Sequence, residues 1–553
     1  MKARLQFAIH NQAAEFKLSL MTLTRTSRPG QWPGRSTVLA KNGMVCTSQP
    51  LATAAALDIL RKGGNAIDAA ICASATLAAV EPLSTGVGGD MIALVWSAKE
   101  KKLKCLNGSG RCPQKLSWRT FARKGAQYVP NFGWGSVTVP GCVDGWWQLH
   151  QDCGKSAWKN LFDAAIEYSR NGAPLSEIVA SDFDTISPRL QNDAARKIFT
   201  PKSRVPEYGE VFFQRDLART FDVIAQGGAD AFYRGEIADK IVACSDAESG
   251  FFSREDFTAH RSTWDEPLKA TFRGVDIYEA PPSTQGFTTL LALNVLSSLD
   301  LDTLKDDWSG LTHAMVEAVK LAFAERDVHA ADSTNYSAPL ENLLSLTFAT
   351  HIGMTINPTR AIPRRDSLIG AMHGDTVQIC TADSEGNVVS LISSLYQGSG
   401  VVAGDTGIHF HNRASLFSID SGHPNVMEPG KRPFHTLMPG FALMHGKPYM
   451  AFGVTGGHHQ SQGHVQFLTN FLLHGMTLQE AVSAPRFDAR TENFIALEAD
   501  FPGELRESLI EKGHKLVGND AGPFGGAQAL RILEGGVIEG ASDPRKDGCA
   551  LGY

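Results

Sequence analysis

The chain has 553 residues, a length that usually requires more than one compact core. Hydrophobic residues make up 43% of the sequence and charged residues 20%, which is typical of a globular protein. The formal net charge of −6 argues against nucleic-acid binding, and no apolar run is long enough to cross a bilayer. We therefore predict neither a nucleic-acid partner nor a membrane partner.

The first residues do not resemble a secretory signal, because polar residues interrupt the stretch where an apolar segment is needed. We expect residues 1–37 to form a disordered extension, with Met21 as an alternative initiator to Met1. The nine cysteines are an odd number and show no CxxC pairing, which suits a reducing compartment. The predicted location is therefore the cytoplasm.

The first part of the chain has mainly helical patterns. A helix is predicted over residues 51–61, and a second, Ala-rich helix over residues 66–80 is apolar on nearly every side, which predicts burial. A strand that begins at Leu103 ends in a turn that presents Arg111, and residues 311–328 form an amphipathic helical pattern. Strand patterns and glycine-rich turns dominate the rest of the chain.

Thr376 is predicted to open a β-hairpin. The residues after it alternate at period two, a turn falls at 384–387, and a second strand covers 388–392. The preceding segment, 357–366, is rich in proline and charge and is expected to be an exposed loop. Thr376 therefore has the position of a nucleophile that is released by cleavage of a loop. The alternative is a threonine that simply opens a strand, because β-branched residues favour strands.

Three later stretches carry polar groups beside tight turns, at residues 393–400, 431–439 and 454–460. In the last of these, Gly456 and Gly457 offer two backbone N–H groups that can point at one oxygen. Such donors stabilise an oxyanion as it develops in acyl transfer. A purely structural role is the alternative for each stretch.

Five histidines raise the question of a zinc site. We expect residues 458 and 459 to lie on a strand, where adjacent side chains point to opposite faces. No HExxH motif is present, and no carboxylate or cysteine stands at ligand spacing. We therefore predict no metal and no cofactor, and a metal-dependent hydrolase remains an alternative. The histidines are His409, His411, His458, His459 and His464.

A series of short motifs follows in a specific order along the chain. They lie at residues 59–70 (Ile-Leu-Arg-Lys-Gly-Gly-Asn-Ala-Ile-Asp-Ala-Ala), 139–141, 280–283, 430–433, 456–457, 540–545 and 552–553. In this order and spacing the chain resembles the γ-glutamyltranspeptidase family, a branch of the N-terminal-nucleophile hydrolases, from about residue 39 to the end.

The resemblance implies an α+β fold with a four-layer αββα sandwich, made as a precursor that cleaves itself. By similarity the cut falls between Asp375 and Thr376, giving a large subunit over 38–375 and a small subunit over 376–553 in one integrated fold. A higher oligomer of this heterodimer is a further expectation. Thr376 would be the nucleophile, and its released α-amine, with a reference pKa of about 7.7–8.0, would be the base. Gly456 and Gly457 resemble the oxyanion hole.

The substrate pocket departs from that of the glutathione-cleaving members. Where they hold the substrate α-carboxylate with an Arg, this chain has Ser109, with Arg111 two residues later. Where they grip the α-amino group with an acid, this chain has Leu416, with Arg413 nearby. Loss of the acid removes a partner for an ammonium group, whereas Arg413 favours a carboxylate.

Other pocket positions also differ. The paired serines of the family appear as His435-Thr436, and a substrate-holding Asn appears as Tyr396, with Ser394 two residues before it. The predicted substrate-binding residues are Arg111, Ser394, Tyr396, Arg413, His435 and Thr436.

We therefore predict a self-cleaving threonine amidohydrolase that hydrolyses, or transfers, γ-glutamyl or similar small carboxylate-bearing acyl groups. Oxamate amidohydrolase and cephalosporin- or glutaryl-type acylase activities on the same machinery are alternatives. An inactive homologue that serves as a binding protein is an alternative of a different class.

Overall fold

The computed structural model describes residues 34–363, 374–518 and 524–553. Most of the extension predicted over 1–37 lies outside these ranges, as do residues 364–366 of the loop predicted over 357–366. The described part of that loop, residues 357–363, contains no helix or strand and is mostly exposed. The described residues combine helices and sheets, which confirms the predicted α+β class.

Most strands belong to two seven-stranded sheets. The strand order is β1-β18-β17-β13-β12-β9-β8 in the first and β19-β2-β10-β11-β3-β4-β7 in the second. The strands are β1 (Val38–Ala40), β2 (Gly43–Thr47), β3 (Asp90–Ser97), β4 (Lys102–Gly108), β5 (Ala173–Pro174), β6 (Val211–Phe212), β7 (Thr263–Asp265), β8 (Leu268–Phe272), β9 (Val275–Glu279), β10 (Asp375–Asp383), β11 (Val388–Tyr396), β12 (Gly440–Met444), β13 (Lys447–Val454), β14 (Phe487–Ala489), β15 (Phe494–Leu497), β16 (Lys515–Leu516), β17 (Ala527–Ile532), β18 (Ile538–Ser542) and β19 (Cys549–Gly552).

Helices supply much of the remaining described structure. The α-helices are Pro50–Arg61, Ala66–Val80, Trp118–Ala122, Cys142–Cys153, Asp163–Asn171, Glu177–Phe183, Asp193–Phe199, Arg215–Tyr233, Glu236–Ala247, Arg254–Ala259, Gly286–Ser297, Leu301–Leu304, Trp308–His329, Leu340–Leu343, Leu346–Gly353, His459–Leu472, Leu478–Ser483 and Gly503–Glu511. Single 3-10 turns cover Trp134–Ser136, Trp158–Phe162, Ser187–Arg189 and Arg413–Leu416. None of the helices within the described ranges is both long and apolar enough to cross a membrane.

Three apolar cores hold the two sheets and their helices together. One core lies between the sheets and includes Cys380 and Ile392 of the second sheet and Phe441 and Leu530 of the first. Another joins the opposite face of the second sheet to helices such as Ala66–Val80. The third packs the helices Gly286–Ser297, Trp308–His329 and His459–Leu472 against the first sheet. Burial of these apolar faces is the main stabilising contribution to the fold.

The hairpin β10–β11 lies at the centre of the second sheet, between β2 and β3. The period-two prediction is confirmed, because Val377 and Ile379 contact the helical side whereas Cys380 faces the other sheet. The predicted turn is also present. Its Asp383 accepts hydrogen bonds from Asn387 N and, at 2.8 Å, from Ala66 N at the start of the buried helix.

One local expectation was wrong. His458 and His459 do not lie on a strand, because β13 ends at Val454 and a helix begins at His459. Gly456 and Gly457, both with positive φ, make the turn between the two elements, with φ of 112° and 61°. Glycine adopts such backbone angles without the steric penalty that a side chain brings. The opposite-face argument against a metal therefore does not apply to these histidines.

Candidate active site

Thr376 lies at an irregularity at the start of the central hairpin. Asp375 pairs with Tyr396 and Val377 pairs with Ser393, so the register shifts across Thr376. Thr376 is fully buried, and its strand is held on both sides by neighbouring strands. A bulge of this kind re-aims a side chain while the surrounding ladder keeps it in place.

Two hydroxyl groups converge on the Asp375 carbonyl. Thr376 Oγ1 lies 2.7 Å from that carbonyl oxygen and 3.2 Å from Ser394 Oγ. Ser394 Oγ donates to the same carbonyl oxygen at 2.5 Å and accepts from Tyr396 N at 2.6 Å. The carbonyl is therefore polarised by a hydroxyl donor while the hydroxyl of the next residue lies beside it. This arrangement suits attack of Thr376 Oγ1 on the preceding peptide bond.

Tyr396 closes one side of this group. It ends β11 with a positive φ of 61° and is fully buried. A side chain at Gly374 would place its Cβ 2.2 Å from Tyr396 Cδ2, so the ring requires a glycine two residues before the nucleophile. Residues in sparsely populated backbone regions persist where their surroundings hold them, and functional sites are common among such places.

Arg413 packs on the Tyr396 ring and is itself fully buried. Its guanidinium carbon lies 4.7 Å from the ring centroid, and its Nη1 donates to Thr436 Oγ1 at 2.7 Å. Its Nε and Nη2 meet no acceptor among the described residues. Burial lowers the pKa of Arg413 to about 10, so the group is still a cation at neutral pH. A buried guanidinium with two donors left over is suited to an anionic ligand.

Asp90 is a buried carboxylate that lies close to both His435 and His411. His435 Nδ1 accepts from Leu437 N, which leaves its Nε2 to donate to Asp90 Oδ2 at 3.1 Å. His411 Nε2 lies 3.7 Å from Asp90 Oδ1, and its Nδ1 accepts from Arg413 N at 3.1 Å. Burial lowers the pKa of His411 to about 4, and that of His435 falls well below its usual value. Both rings are therefore uncharged at neutral pH, and His411 contacts both Asp90 and the backbone of Arg413.

Thr436 and Gly457 are joined by a glutamine that the sequence analysis did not select. Gln285 Nε2 donates to the carbonyl oxygens of both residues at 3.0 Å. Arg326 Nη1 donates to Gln285 Oε1 at 3.1 Å and lies 3.3 Å from His458 Nδ1. Gln285 follows the motif at 280–283 by two residues. Its position next to that motif is the feature of the sequence that could have identified it as a site residue.

The two predicted oxyanion-hole glycines precede the helix His459–Leu472. Within the described ranges, no acceptor takes the N–H of Gly456 or Gly457. The N-terminal end of a helix carries partial positive charge and unpaired N–H groups, which favours an oxyanion. The Gln285 bond links this turn to Thr436 and so to Arg413.

Arg111 belongs to a different set of contacts. Its Nη1 lies 3.6 Å from Asp332 Oδ2 and 3.4 Å from the Gly430 carbonyl oxygen. With Gln114, His260 and others, it lines a pocket of about 270 Å³. The structure thus brings five of the six predicted substrate-binding residues into one network around Thr376, and the contacts of Arg111 lie elsewhere.

The histidines considered for zinc each have a separate partner. Their polar partners are Gly400 N for His409, Asp90 for His411, Tyr396 for His458, Asp488 for His459 and Glu279 for His464.

A different group, His313, Glu317 and His514, places ligand-type atoms within 4.8 Å of one another. These side chains are already paired, because His313 Nδ1 lies 2.8 Å from His514 Nε2 and Glu317 Oε1 accepts from Lys320 Nζ at 2.7 Å. The expectation of no metal stays a prediction.

Comparison with known proteins gives this geometry a context. The chain is 37% identical over 526 residues to the glutathione hydrolase-like YwrD proenzyme of Bacillus subtilis (strain 168), covering 93% of this chain and 99% of that protein. It is 32% identical over 537 residues to the oxamate amidohydrolase proenzyme of Klebsiella pneumoniae subsp. pneumoniae, covering 94% and 100%.

The structure resembles the crystal structure of cephalosporin acylase from Bacillus halodurans, with a TM-score of 0.87 and 36% identity. That match covers 96% of this chain and 99% of the acylase. The family model for gamma-glutamyltranspeptidase matches residues 52–553. The chain therefore belongs to the gamma-glutamyltranspeptidase family and is a hydrolase of that family.

Proposed function

We propose that the chain cleaves itself between Asp375 and Thr376 and that Thr376 then hydrolyses small amides whose acyl group carries a carboxylate. The observation that carries the reaction is the approach of two hydroxyls, from Thr376 and Ser394, to the Asp375 carbonyl oxygen. The substrate class rests on Arg413. The two curated relatives, from Bacillus subtilis and Klebsiella pneumoniae, are both named as proenzymes, which supports the self-cleavage.

Self-cleavage begins with attack of Thr376 Oγ1 on the Asp375 carbonyl carbon. A C–O bond forms, the peptide C–N bond breaks, and the hydroxyl proton passes to the released amine. Water then splits the ester, which gives Asp375 an α-carboxylate and restores the Thr376 hydroxyl. Ser394 stabilises the carbonyl oxygen as negative charge develops on it. The products are residues 1–375 and 376–553.

Turnover uses the two groups that the cut creates on one residue. The α-amine of Thr376, with a reference pKa of about 7.7–8.0, accepts the proton of its own hydroxyl during attack on a substrate amide. The leaving amine takes that proton, and water releases the acyl group from the Thr376 ester. The N–H groups of Gly456 and Gly457 hold the oxyanion in both steps.

Arg413 decides which acyl groups are accepted. A substrate carboxylate satisfies the Nε and Nη2 donors and compensates the buried charge, whereas an ammonium group is repelled. Leu416, which stands where the glutathione-cleaving members carry an acid, is buried and apolar, so it offers nothing to an ammonium group. Oxamate, which is named for one relative, carries a carboxylate on its acyl group and so fits such a site.

The same proposal includes the finer description of the fold as a four-layer αββα sandwich. The support is the position of the three cores. One packs helices against the second sheet, one lies between the two sheets, and one packs helices against the first sheet. Water is the proposed acceptor, and transfer to another amine is the alternative outcome.

Denaturing electrophoresis and mass spectrometry of the purified protein test the proposal. The wild type should yield fragments 1–375 and 376–553, and Thr376→Ala should remain one chain. The cleaved enzyme should hydrolyse oxamate or a glutaryl amide faster than γ-glutamyl-p-nitroanilide. A wild-type chain that stays intact, or a Thr376→Ala chain that cleaves at wild-type rate, contradicts it.

A further inference from the structure

A group of buried and half-buried polar residues surrounds the side chain of Asp375, which is 28% exposed and lies on the acyl side of the proposed cut. Lys546 Nζ lies 3.3 Å from Asp375 Oδ1, and the Lys546 side chain is only 12% exposed. The Asp182 carboxyl and the Ser84 hydroxyl lie beside the same carboxylate and influence its pKa. Glu81 lies beside them and accepts from Ser48 Oγ at 2.5 Å. We call Lys546, Asp182, Ser84 and Glu81 the Asp375 pocket.

The proton of this pocket resides on Asp182. Burial and the adjacent Asp375 charge raise the pKa of Asp182 well above its usual value. Against the effect of burial, the Lys546 ammonium and the hydrogen bond from Asp182 lower the pKa of Asp375. Asp375 is therefore the carboxylate, and its Oδ1 accepts hydrogen bonds from Lys546 Nζ at 3.3 Å and from Thr376 N at 3.1 Å. Burial also raises the pKa of Glu81 to about 7.

The pocket is built from distant parts of the chain that fix one another. Asp182 lies on the short helix Glu177–Phe183, and the carboxylate of Asp547 accepts hydrogen bonds from Ser176 Oγ, Ile178 N and Val179 N at the start of that helix. Lys546 is the neighbour of Asp547, so one segment near the end of the chain holds both the helix and the Asp375 carboxylate.

We propose that Lys546 is a positioning residue for self-cleavage, which together with Asp182 holds the Asp375 side chain so that its carbonyl meets the hydroxyls of Ser394 and Thr376. The proposal rests on the proposed cleavage and extends it to residues that touch only the side chain of the cleaved residue. Asp375 Oδ1 accepts hydrogen bonds from both Lys546 Nζ and Thr376 N. These two bonds hold the side chain of the residue before the cut and the amide group of the residue after it.

The same pocket disfavours the reverse reaction. Cleavage converts the Asp375 carbonyl into an α-carboxylate, which adds a negative charge beside the Asp375 side chain and close to Asp182 and Glu81. The nearest cation in the pocket is Lys546. Like charges in a site of low dielectric repel strongly, so the new carboxyl end is less stable there than the uncut peptide was.

The experiment follows the rate at which purified full-length precursor converts to fragments. Lys546→Met should slow cleavage at least tenfold, because it leaves the half-buried Asp375 carboxylate without its cation. Lys546→Arg should restore most of the rate. Lys102→Met, at an exposed ion pair with Glu266, is the matched control and should cleave like the wild type. Thermal unfolding of each precursor shows that it is folded.

A pH series on Asp182→Asn separates positioning from a merely structural role. The amide keeps a hydrogen-bond donor toward Asp375 but does not ionise. In the wild type, loss of the Asp182 proton at alkaline pH places two carboxylates side by side, so the ratio of the Asp182→Asn rate to the wild-type rate should rise with pH. Glu81→Gln is compared in parallel, because Glu81 also titrates in this pocket.

The outcomes distinguish the two proposals. A wild-type chain that never cleaves overturns the proposed function itself. A wild type that cleaves while Lys546→Met cleaves equally fast overturns the role of Lys546. If Lys546→Met does not fold, the pH series decides, and an Asp182→Asn to wild-type ratio that is constant with pH overturns the proposal.

Discussion

At the scale of single residues, Ser394 has the contact that is easiest to test by itself. Its hydroxyl donates to the Asp375 carbonyl oxygen at 2.5 Å, and in the proposed cleavage Thr376 supplies the attacking oxygen. Removing one donor from an oxyanion costs roughly 10²–10³ in rate. Ser394→Ala should therefore slow self-cleavage by about that factor, and Ser394→Thr should keep most of the rate. Fragment formation over time measures both variants, and a Ser394→Ala precursor that cleaves normally would contradict the assignment.

In the proposed function, Arg413 binds the substrate carboxylate and takes no part in the reaction at Thr376. Hydrogen bonds to charged groups are worth about 1.5–3 kcal/mol, so Arg413→Gln should raise KM for a carboxylate substrate about tenfold to hundredfold. The value of kcat should change much less, because Thr376 and its oxyanion donors are untouched. A neutral amide of similar size is the control substrate, and its KM should stay the same. An equal effect on both substrates would mean that Arg413 acts through Tyr396 or Thr436 and not on the carboxylate.

At the scale of elements, the central hairpin could be predicted from the sequence, whereas the Asp375 pocket could not. Val377 and Ile379 alternate with residues of the opposite face, and the turn before Val388 has the usual polar residues, so local periodicity was sufficient. Lys546 and Asp375 are 171 positions apart, and no local pattern relates them. Contacts of this kind arise from the packing of elements, which periodicity does not encode.

The predicted substrate-binding residues differ in where the structure places them. Ser394 and Tyr396 lie on β11, beyond the end of the strand predicted over 388–392, and they were predicted from the family resemblance. Arg413, His435 and Thr436 came from the family resemblance, and the structure brings them together through Asp90 and the Tyr396 ring. Arg111 came from the same resemblance, but its turn directs it to Asp332. Arg111 stands two residues further along the turn than the Arg of the glutathione-cleaving members. Its side chain therefore points in a different direction, and a comparison of motifs alone does not show this.

At the scale of the whole molecule, the two proposed subunits are interleaved in both sheets. In the second sheet, β10 and β11 are flanked by β2 and β3, which precede the proposed cut, while β19 from the end of the chain pairs with β2. The first sheet likewise places β12 between β13 and β9. Breaking one peptide bond therefore leaves the cores intact, and the fragments should remain associated without denaturant.

Buried histidines make the whole fold sensitive to acid. Burial lowers the pKa values of His409 and His411 to about 4 from an unfolded value near 6.5. Between these values the unfolded chain binds more protons than the folded one, so the free energy of unfolding decreases as pH falls from about 6.5 to 4. In the uncleaved Thr376→Ala background, His409→Gln should flatten the fall of Tm with pH over this interval. His351→Gln, at an exposed position, is the control and should leave the slope unchanged. A His409→Gln slope equal to that of the parent would show that His409 does not contribute to the acid sensitivity, whatever the absolute Tm of the variant.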